Sequence, residues 1–431
     1  MSRFLFVTQT AHPWGGVESW LEELTAGLAT EHQVTIGLVR GRRFHDPDCY
    51  RAARALRVPS IEIAAPTGTP EGRRRAIDEA IEATGSNVVV PVNIADVLEV
   101  VRRRKRRGHH LRLFYPLHGL AAEYLADVRA YAGVIDLAVA SNRLAERALI
   151  EVSGMNRERV EYASYGAASA ERLPIFDPSR PLRLVYSGRL EQEQKRVRDL
   201  VSLCRELDRR GVGYSLDIAG DGEESSFLRS TLSENSSVHF FGLLTREELY
   251  AKVYPRAQAM ILLSAWETGP IVALEAMAHG ATLVTTAYLG LRAEGRNIDG
   301  KNALVAGVGD VDALADAVQR LSEDSLLLDR LRRSAFETVV PACSVERSFL
   351  AWRSAFERGL SLPTATAGME PPHAEPAGRL DRLVGASLAE TIRAAVGRGM
   401  AHSEPGAEWP HTFGVPEDAA AINAAVAQLD R

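Results

Sequence analysis

The amino-acid sequence predicts an α/β protein built from two doubly wound parallel-sheet domains in tandem, with a cleft between them. Short apolar runs rich in β-forming residues alternate with longer helical patterns, which is typical of repeated strand–helix–strand units. The alternation stops between residues 165 and 179, where proline and turn-forming residues cluster, and then starts again. A chain of 431 residues is long enough for two domains with separate cores.

The first series of elements precedes this pause. The predicted strands cover residues 4–7, 34–39, 88–92, 111–117 and 137–140. Helical patterns follow the first and the last of these strands, at residues 17–28 and 143–152. We therefore predict a Rossmann-like N-terminal domain over residues 1–176.

The second series begins after the pause and predicts a Rossmann-like C-terminal domain over residues 177–344. Its strands are predicted at residues 182–186, 214–218, 238–241, 259–263 and 283–286, and a helix at 197–208 follows the first of them. Thr245 and Glu248 form a capping-box pattern in which each side chain can bond a free backbone amide, so a further helix is expected to start there.

The remaining residues divide into three segments. Residues 345–361 carry Phe349, Trp352 and Phe356 at helical spacing, which predicts a final helix packing back toward the N-terminal domain. Residues 362–378 are rich in proline, alanine and threonine and predict a flexible linker. Residues 379–431 predict a small helical tail, to which the sequence assigns no role.

Composition restricts the class of protein. The formal net charge of -5 gives no overall attraction to nucleic acid, and no nucleic-acid partner is expected. Cys49, Cys204 and Cys343 are far apart and lack metal-ligand spacing, which favours a reducing compartment. The N-terminus lacks the pattern of a signal peptide, and no apolar run reaches the roughly 18 residues of a spanning helix. We expect a cytoplasmic protein, with any membrane contact peripheral and at the inner face.

Two carboxylates lie in the stretch of residues 264–280, between two predicted strands. Pro270 suits the first position of a helix of about ten residues, and Gly280 the position after its end. Glu267 is therefore expected on the loop before the helix, where open α/β sheets bind ligands, and Glu275 inside the helix. In these places the carboxylate of Glu267 can act near a reacting centre, and the carboxylate of Glu275 can accept hydrogen bonds from hydroxyls such as those of a ribose.

Two basic residues follow the first strand of the second predicted domain. Arg189 and Lys195 flank the turn after that strand. Fixed cations there can bind an anionic ligand and stabilise negative charge that develops in a transition state. The alternative is that both are solvated residues near a helix start, like the neighbouring Arg196 and Arg198.

Glu267 and Glu275, separated by seven residues and followed by Ala-Met-Ala-His-Gly, resemble the signature of the family 4 retaining glycosyltransferases of glycosyl transferase group 1, which have the GT-B fold. Arg189 and Lys195 match the donor-phosphate site of that family. The resemblance implies transfer of a hexose, with retention of configuration, from a UDP- or GDP-sugar, with no metal or cofactor. The sequence does not identify the acceptor, which could be a saccharide, a lipid-linked sugar or a small molecule.

The resemblance also assigns roles. It implies that Arg189 and Lys195 hold the donor diphosphate, Glu275 the ribose, and Glu267 with His118 the transferred sugar. It makes residues 1–176 the acceptor-side domain and residues 177–344 the donor domain. His118 ends a predicted strand before a glycine, although a lone histidine is more often structural.

Several turns are further candidates for donor binding. Gly15 and Gly16 follow the first strand and are similar to the family's glycine-rich loop, which can bring backbone amides to a diphosphate. Residues 218–223 and 238–242, the second of which ends at Gly242, resemble the family's two turns along the nucleotide crevice, although ordinary tight turns also use glycine. Gly188 lies in the turn that carries Arg189 and resembles the donor-phosphate site of the family.

Backbone amides around Thr268 and Gly269, beside Glu267, are expected at a helix start. Such amides carry a partial positive charge that suits phosphate.

A run of basic residues is a candidate for contact with anionic lipid headgroups. We favour a solvated helix end instead, because no aromatic residues interleave with the run. The run consists of Arg102, Arg103, Arg104, Lys105, Arg106 and Arg107.

Two other functions remain open at this point. A nucleotide-sugar epimerase or hydrolase could use the same scaffold, since fold does not fix function. A non-catalytic nucleotide-sugar-binding subunit is the third possibility, although the presence of both glutamates and both cations favours catalysis.

Overall fold

The computed structural model describes residues 1–177, 179–366 and 378–431. The chain divides into two compact units, each built on a parallel sheet, so the predicted fold class is confirmed. Unit 1 comprises residues Met1–Ser141, Ala145–Ala163 and Phe349–Val426, and unit 2 comprises residues Asn142–Leu144, Ser164–Ser348 and Ala427–Arg431. The predicted linker at residues 362–378 lies mostly outside the described residues.

Unit 1 contains a seven-stranded parallel sheet in the order β3-β2-β1-β4-β5-β6-β7. Its strands are β1 (Arg3–Thr8), β2 (Gln33–Arg40), β3 (Ser60–Ala64), β4 (Val88–Val92), β5 (Arg112–Leu117), β6 (Leu137–Ala140) and β7 (Val160–Tyr162). The helices between its strands are α1 (Gly16–Leu28), α2 (Pro47–Ala53), α3 (Pro70–Thr84), α4 (Asp96–Arg106), α5 (Ala122–Tyr131) and α6 (Arg143–Glu151). Every residue of β4 and β6 is buried, as expected for strands covered on both faces.

Unit 2 contains a six-stranded parallel sheet in the order β10-β9-β8-β11-β12-β13. Its strands are β8 (Leu182–Ser187), β9 (Tyr214–Ala219), β10 (Val238–Gly242), β11 (Ala259–Leu262), β12 (Thr282–Thr286) and β13 (Ala303–Ala306). The helices are α7 (Asp199–Arg210), α8 (Ser225–Leu232), α9 (Arg246–Glu248), α10 (Ile271–Ala278), α11 (Leu291–Glu294), α12 (Val311–Glu323) and α13 (Ser325–Val339). The capping box predicted at Thr245 is present, with both of its hydrogen bonds.

Three strands were not predicted from the sequence: β3, β7 and β13. All three are short and lie at an edge of their sheet. An edge strand packs against only one neighbour, and most of β3 is not fully buried. Its sequence therefore lacks the continuous apolar run that marks the central strands.

The chain enters unit 2 at Ser164, before the predicted boundary at residues 176 and 177. The intervening segment is attached to unit 2 by backbone hydrogen bonds from Ala167 N to Cys343 O (2.8 Å) and from Ala170 N to Ala278 O (3.0 Å). Arg332 also donates to the carbonyl of Pro174 at 2.7 Å. The turn-forming residues that suggested a domain boundary thus belong to unit 2.

The final helix of the second series, α14 (Val345–Ser361), contributes to the core of unit 1 from Phe349 onward. Phe356 is buried there and packs against Phe4, Phe6 and Phe114, with ring centroids 5.2–6.3 Å apart. The apolar face predicted for this helix is therefore a core surface.

The tail contains four short helices: α15 (Arg379–Val384), α16 (Ala386–Ala395), α17 (Pro405–Glu408) and α18 (Ala419–Leu429). Residues 400–410 run past the carboxyl ends of strands of the unit 1 sheet. Met400 N donates to Thr67 O after β3 (2.7 Å), and Trp409 Nε1 donates to Arg40 O at the end of β2 (3.2 Å). Beyond β4, Ala95 N donates to Pro410 O (3.0 Å). The segment thus covers part of the edge at which open sheets of this kind bind ligands.

Glu408 makes the most extensive of these contacts. Its buried carboxylate accepts four backbone N–H bonds, of 2.6–3.2 Å, from residues 42–45 in the loop after β2. Burial alone would raise the pKa of Glu408, but the four hydrogen bonds outweigh it and lower the pKa below the usual value. One tail side chain thereby fixes the conformation of a whole loop.

Replacing Glu408 with glutamine should lower the free energy of unfolding by about 1–3 kcal/mol, because an amide NH2 group then faces backbone donors. The lowered pKa means that the carboxylate stabilises the fold above the usual glutamate pKa and loses that effect as the pH falls through its folded value. Denaturant titrations of the wild type and Glu408→Gln at several pH values measure the difference, which should shrink in acid.

Glu404→Gln is the matched control, because Glu404 is exposed in the same segment and makes no capping bond to α17. Equal effects of the two substitutions would contradict the role assigned to Glu408.

Candidate donor-binding site

Glu267 lies on the loop between β11 and α10, as predicted, and is 5% exposed. Helix α10 covers eight residues and is shorter than predicted, because Pro270 caps it from an extended conformation instead of occupying its first turn. Gly269 has a φ of 119°, which favours glycine, and Thr268 lies half-buried between it and Glu267. The loop therefore turns sharply between the carboxylate and the helix.

The carboxylate of Glu267 forms a buried ion pair with Lys195. Lys195 Nζ donates to Glu267 Oε1 at 2.6 Å, and the two side chains are 14% and 6% exposed. Ser264 Oγ donates to the same carboxylate oxygen at 2.5 Å. The structure thus brings together two residues that the resemblance assigns to the diphosphate and to the sugar.

Gln194 connects this pair to Arg189. Its side-chain oxygen accepts a hydrogen bond from Arg189 Nη2 at 2.8 Å, and its Nε2 approaches Glu267 Oε2 at 3.4 Å. The same Nε2 donates to Trp266 O at 3.0 Å. Three of the predicted site residues therefore share one network, and sequence reasoning missed the amide at its centre. Its position in the turn between the two cations was the available signal.

The turn that carries Gln194 has an unusual backbone. Among the described residues, Arg196 and Asn93 are the two non-glycine residues with positive φ, and the φ of Arg196 is 51°. Glu191 holds the turn by accepting the backbone N–H groups of Gln194 (3.2 Å) and Lys195 (3.0 Å). Strained backbone of this kind often occurs at functional sites, where surrounding contacts maintain it.

The glycine turns beside this network allow two strand ends to approach closely. Gly188 follows β8 with a φ of 144°, and Gly220 follows β9 with a φ of 142°. A Cβ atom on Gly220 would overlap the carbonyl oxygen of Gly188. Gly242, with a φ of 71°, accepts a hydrogen bond from Gly220 N at 2.8 Å. The predicted donor-binding glycines thus also have a structural reason to be glycine.

Glu275 lies in a second cluster of unit 2, inside α10. Its Oε1 accepts hydrogen bonds from Arg246 Nε and Tyr250 Oη, both at 2.9 Å, and its Oε2 accepts one from Tyr254 Oη at 3.1 Å. Burial raises the pKa of Glu275, and these three donors oppose that shift. The three partners, which the sequence did not reveal, lie 21 to 29 residues before it in the chain.

The candidates in unit 1 lie on two of its elements. Gly16 begins α1, and Gly15 is the residue before it. His118 follows β5, and its ring packs edge-on against Trp20 with centroids 4.7 Å apart. Burial lowers the pKa of His118 to about 3, so the imidazole is neutral at physiological pH. It can take part in hydrogen bonds there without carrying a charge.

The basic run in α4 is largely neutralised inside unit 1. Arg102 and Arg103 pair with Glu99, Arg104 pairs with Asp78, and Lys105 pairs with Asp136 at 2.6 Å. The expectation of a solvated helix end is therefore wrong for these four residues. The last two of the run, Arg106 and Arg107, are exposed. None of the helices in the part of the chain that the structure describes is long and apolar enough to span a membrane.

Gly220→Ala should lower the free energy of unfolding of the protein by about 2 kcal/mol or more. The new Cβ atom would displace the turn at Gly188, and the alanine would have to adopt a φ of 142°, which is strained for a residue with a side chain. Gly213→Ala is the control, since its Cβ would meet open space just before β9. Denaturant unfolding measures both, and a Gly220→Ala variant as stable as the control would contradict the close approach of the two turns.

Comparison with known proteins relates these features to a family. Residues 181–324 match the family described as Glycosyl transferases group 1. Glycogen synthase of Mycobacterium tuberculosis is 35% identical over 158 residues, which are 36% of this chain and 37% of that protein. Lipopolysaccharide 1,6-galactosyltransferase of Salmonella typhimurium is 27% identical over 214 residues, which are 48% of this chain and 57% of that protein.

Solved structures extend the likeness in fold to most of the chain. The Anabaena protein HepE, in complex with UDP and glucose, is similar with a TM-score of 0.68 at 16% identity, over 83% of this chain and 100% of HepE. These findings confirm the predicted GT-B fold and the resemblance to glycosyltransferases. Assignment to family 4 stays a prediction.

Proposed function

Because residues 181–324 match the group 1 glycosyl transferases, we propose that the protein is a retaining glycosyltransferase that uses a UDP- or GDP-sugar. HepE structures contain UDP or UDP-glucose, which makes UDP-glucose the first donor to test. The proposed acceptor is a saccharide, a lipid-linked sugar or a small molecule.

The observation that carries this proposal is the network of Lys195, Gln194 and Arg189 around Glu267. Lys195 contacts the Glu267 carboxylate directly, and Gln194 links Arg189 to it, at the carboxyl ends of β8 and β11, the edge where ligands of open parallel sheets bind. A diphosphate offers Lys195 a second anion in place of Glu267. Ser264 and Gln194 can still bond to Glu267 after that exchange, so its charge does not become isolated.

The exchange would give each group a separate task. Lys195 and Arg189 would neutralise the charge that develops on the diphosphate as the bond from the sugar's anomeric carbon to phosphate oxygen breaks. Glu267, released from Lys195, would accept hydrogen bonds from hydroxyls of the transferred sugar. The acceptor oxygen would bond to the anomeric carbon on the face from which the diphosphate leaves, and a phosphate oxygen would take its proton. This sequence retains configuration and assigns no step to a metal.

The other predicted residues keep their roles as part of the proposal. Oε2 of the Glu275 carboxylate accepts one hydrogen bond, from Tyr254, and can accept a second, so a ribose hydroxyl can be added to the existing donors. The backbone amides at Gly16, at the start of a 13-residue helix, favour an anion. The neutral imidazole of His118 suits a sugar hydroxyl better than a phosphate.

The proposed roles of Lys195 and Glu267 can be separated by substitution. Lys195→Ala should weaken UDP binding about tenfold or more, because a phosphate contact is lost. Glu267→Gln should leave UDP binding nearly unchanged and lower the rate of transfer about 10²–10³-fold, because the charge beside the sugar is lost. Calorimetry with UDP and release of UDP from UDP-glucose with saccharide acceptors measure the two effects.

Lys301→Ala is the charge-matched control, because Lys301 is exposed elsewhere in unit 2. UDP-glucose turned over at the same rate with and without acceptors would indicate a hydrolase, and formation of an epimeric nucleotide sugar an epimerase. UDP binding without any turnover would indicate a binding subunit. Wild-type transfer by Glu267→Gln would refute its role at the sugar.

A further inference from the structure

Tail helices α15 and α16 expose a row of apolar side chains, which we call the tail face: Leu383, Val384, Leu388, Ile392 and Val396. Leu383, Leu388 and Val396 are 81%, 54% and 61% exposed, and the other two are more than a third exposed. Leu388, Ile392 and Val396 recur every four residues, so they project from one side of α16 and the residue that ends it.

The opposite side of α16 is fixed to unit 1, so the tail face points away from the core. Glu390 is buried and accepts hydrogen bonds from the hydroxyls of Thr67 (2.7 Å) and Thr69 (2.5 Å). Arg75 Nη2 donates to Ser387 O and Thr391 Oγ1, both at 3.2 Å. These contacts hold the helix with its apolar row outward.

Charge is distributed unevenly around the tail face. Arg379, Arg382 and Arg398 are exposed beside it. The two acidic residues of segment 378–400, Asp381 and Glu390, are both buried, and Asp381 pairs with Arg393 through two bonds of 2.7 and 2.8 Å. The exposed side of the two helices is therefore apolar and cationic, with its carboxylates turned inward.

We propose that the tail face docks the protein on an anionic lipid surface. An exposed apolar row flanked by arginines suits insertion at the level of the headgroups, where the side chains leave water and the guanidinium groups meet phosphate. A second protein would need carboxylates to match these arginines, whereas anionic lipid supplies such charge over any area. The proposal thus assigns lipid contact to the tail face and not to the basic run of residues 102–107, most of which form ion pairs within unit 1.

Co-sedimentation of the full chain with vesicles tests this proposal. Vesicles of phosphatidylcholine mixed equally with phosphatidylglycerol should bind the protein, and vesicles of phosphatidylcholine alone should bind it much more weakly. The double variant Leu388→Ser/Ile392→Ser should lose binding about tenfold or more, because the apolar insertion is removed. Arg382→Glu should also weaken binding, and added salt should weaken binding of the wild type.

Leu326→Ser is the matched control, since Leu326 is 83% exposed on α13 in unit 2. Thermal unfolding and UDP binding of each variant show whether the fold and the donor site are intact, so this test is independent of the proposed transfer reaction. Failure of the wild type to bind anionic vesicles, or unchanged binding by the double variant, overturns the proposal. A wild-type dimer that the double variant dissociates would overturn it too, in favour of a protein interface.

Discussion

A buried ion pair between Lys195 and Glu267 joins the two loops of unit 2 that carry the candidate diphosphate and sugar contacts. Two charges that are almost completely buried are tolerated only when each compensates the other and hydrogen bonds satisfy the remaining atoms. Ser264 and Gln194 supply those bonds. The pair therefore holds the loop after β11 against the turn after β8. It places the Lys195 ammonium and the Glu267 carboxylate at the ends of two neighbouring strands of the unit 2 sheet.

Local sequence pattern was sufficient to predict the parts of the fold that local forces determine. Buried strands such as β4 and β6 are recognisable in the sequence as continuous apolar runs. The capping box at Thr245 depends on two residues that are three positions apart. The position of Glu267 followed from the strand and helix around it. By contrast, Gln194 and Arg246 gained their roles from contacts with residues 73 and 29 positions away, which no local period reveals.

Charged side chains also gain partners that local sequence patterns do not reveal. Lys105 belongs to a run that reads as an exposed cationic surface, yet it is neutralised by Asp136, which lies 31 residues later. Glu408 lies in a tail without any evident role, yet it bonds to a loop more than 360 residues earlier. Charge in a sequence is therefore a weak guide to charge on a surface, because the fold decides which groups meet. In the two helices that carry the exposed tail face, both carboxylates, Asp381 and Glu390, are buried.

A crystal structure of the protein with UDP would show whether the diphosphate displaces Glu267 from Lys195. We expect that Lys195 Nζ moves from the Glu267 carboxylate to a β-phosphate oxygen, that Arg189 also contacts the diphosphate, and that Ser264 keeps its bond to Glu267. A diphosphate bound away from both cations, with the bond between Lys195 and Glu267 unchanged, would contradict this expectation.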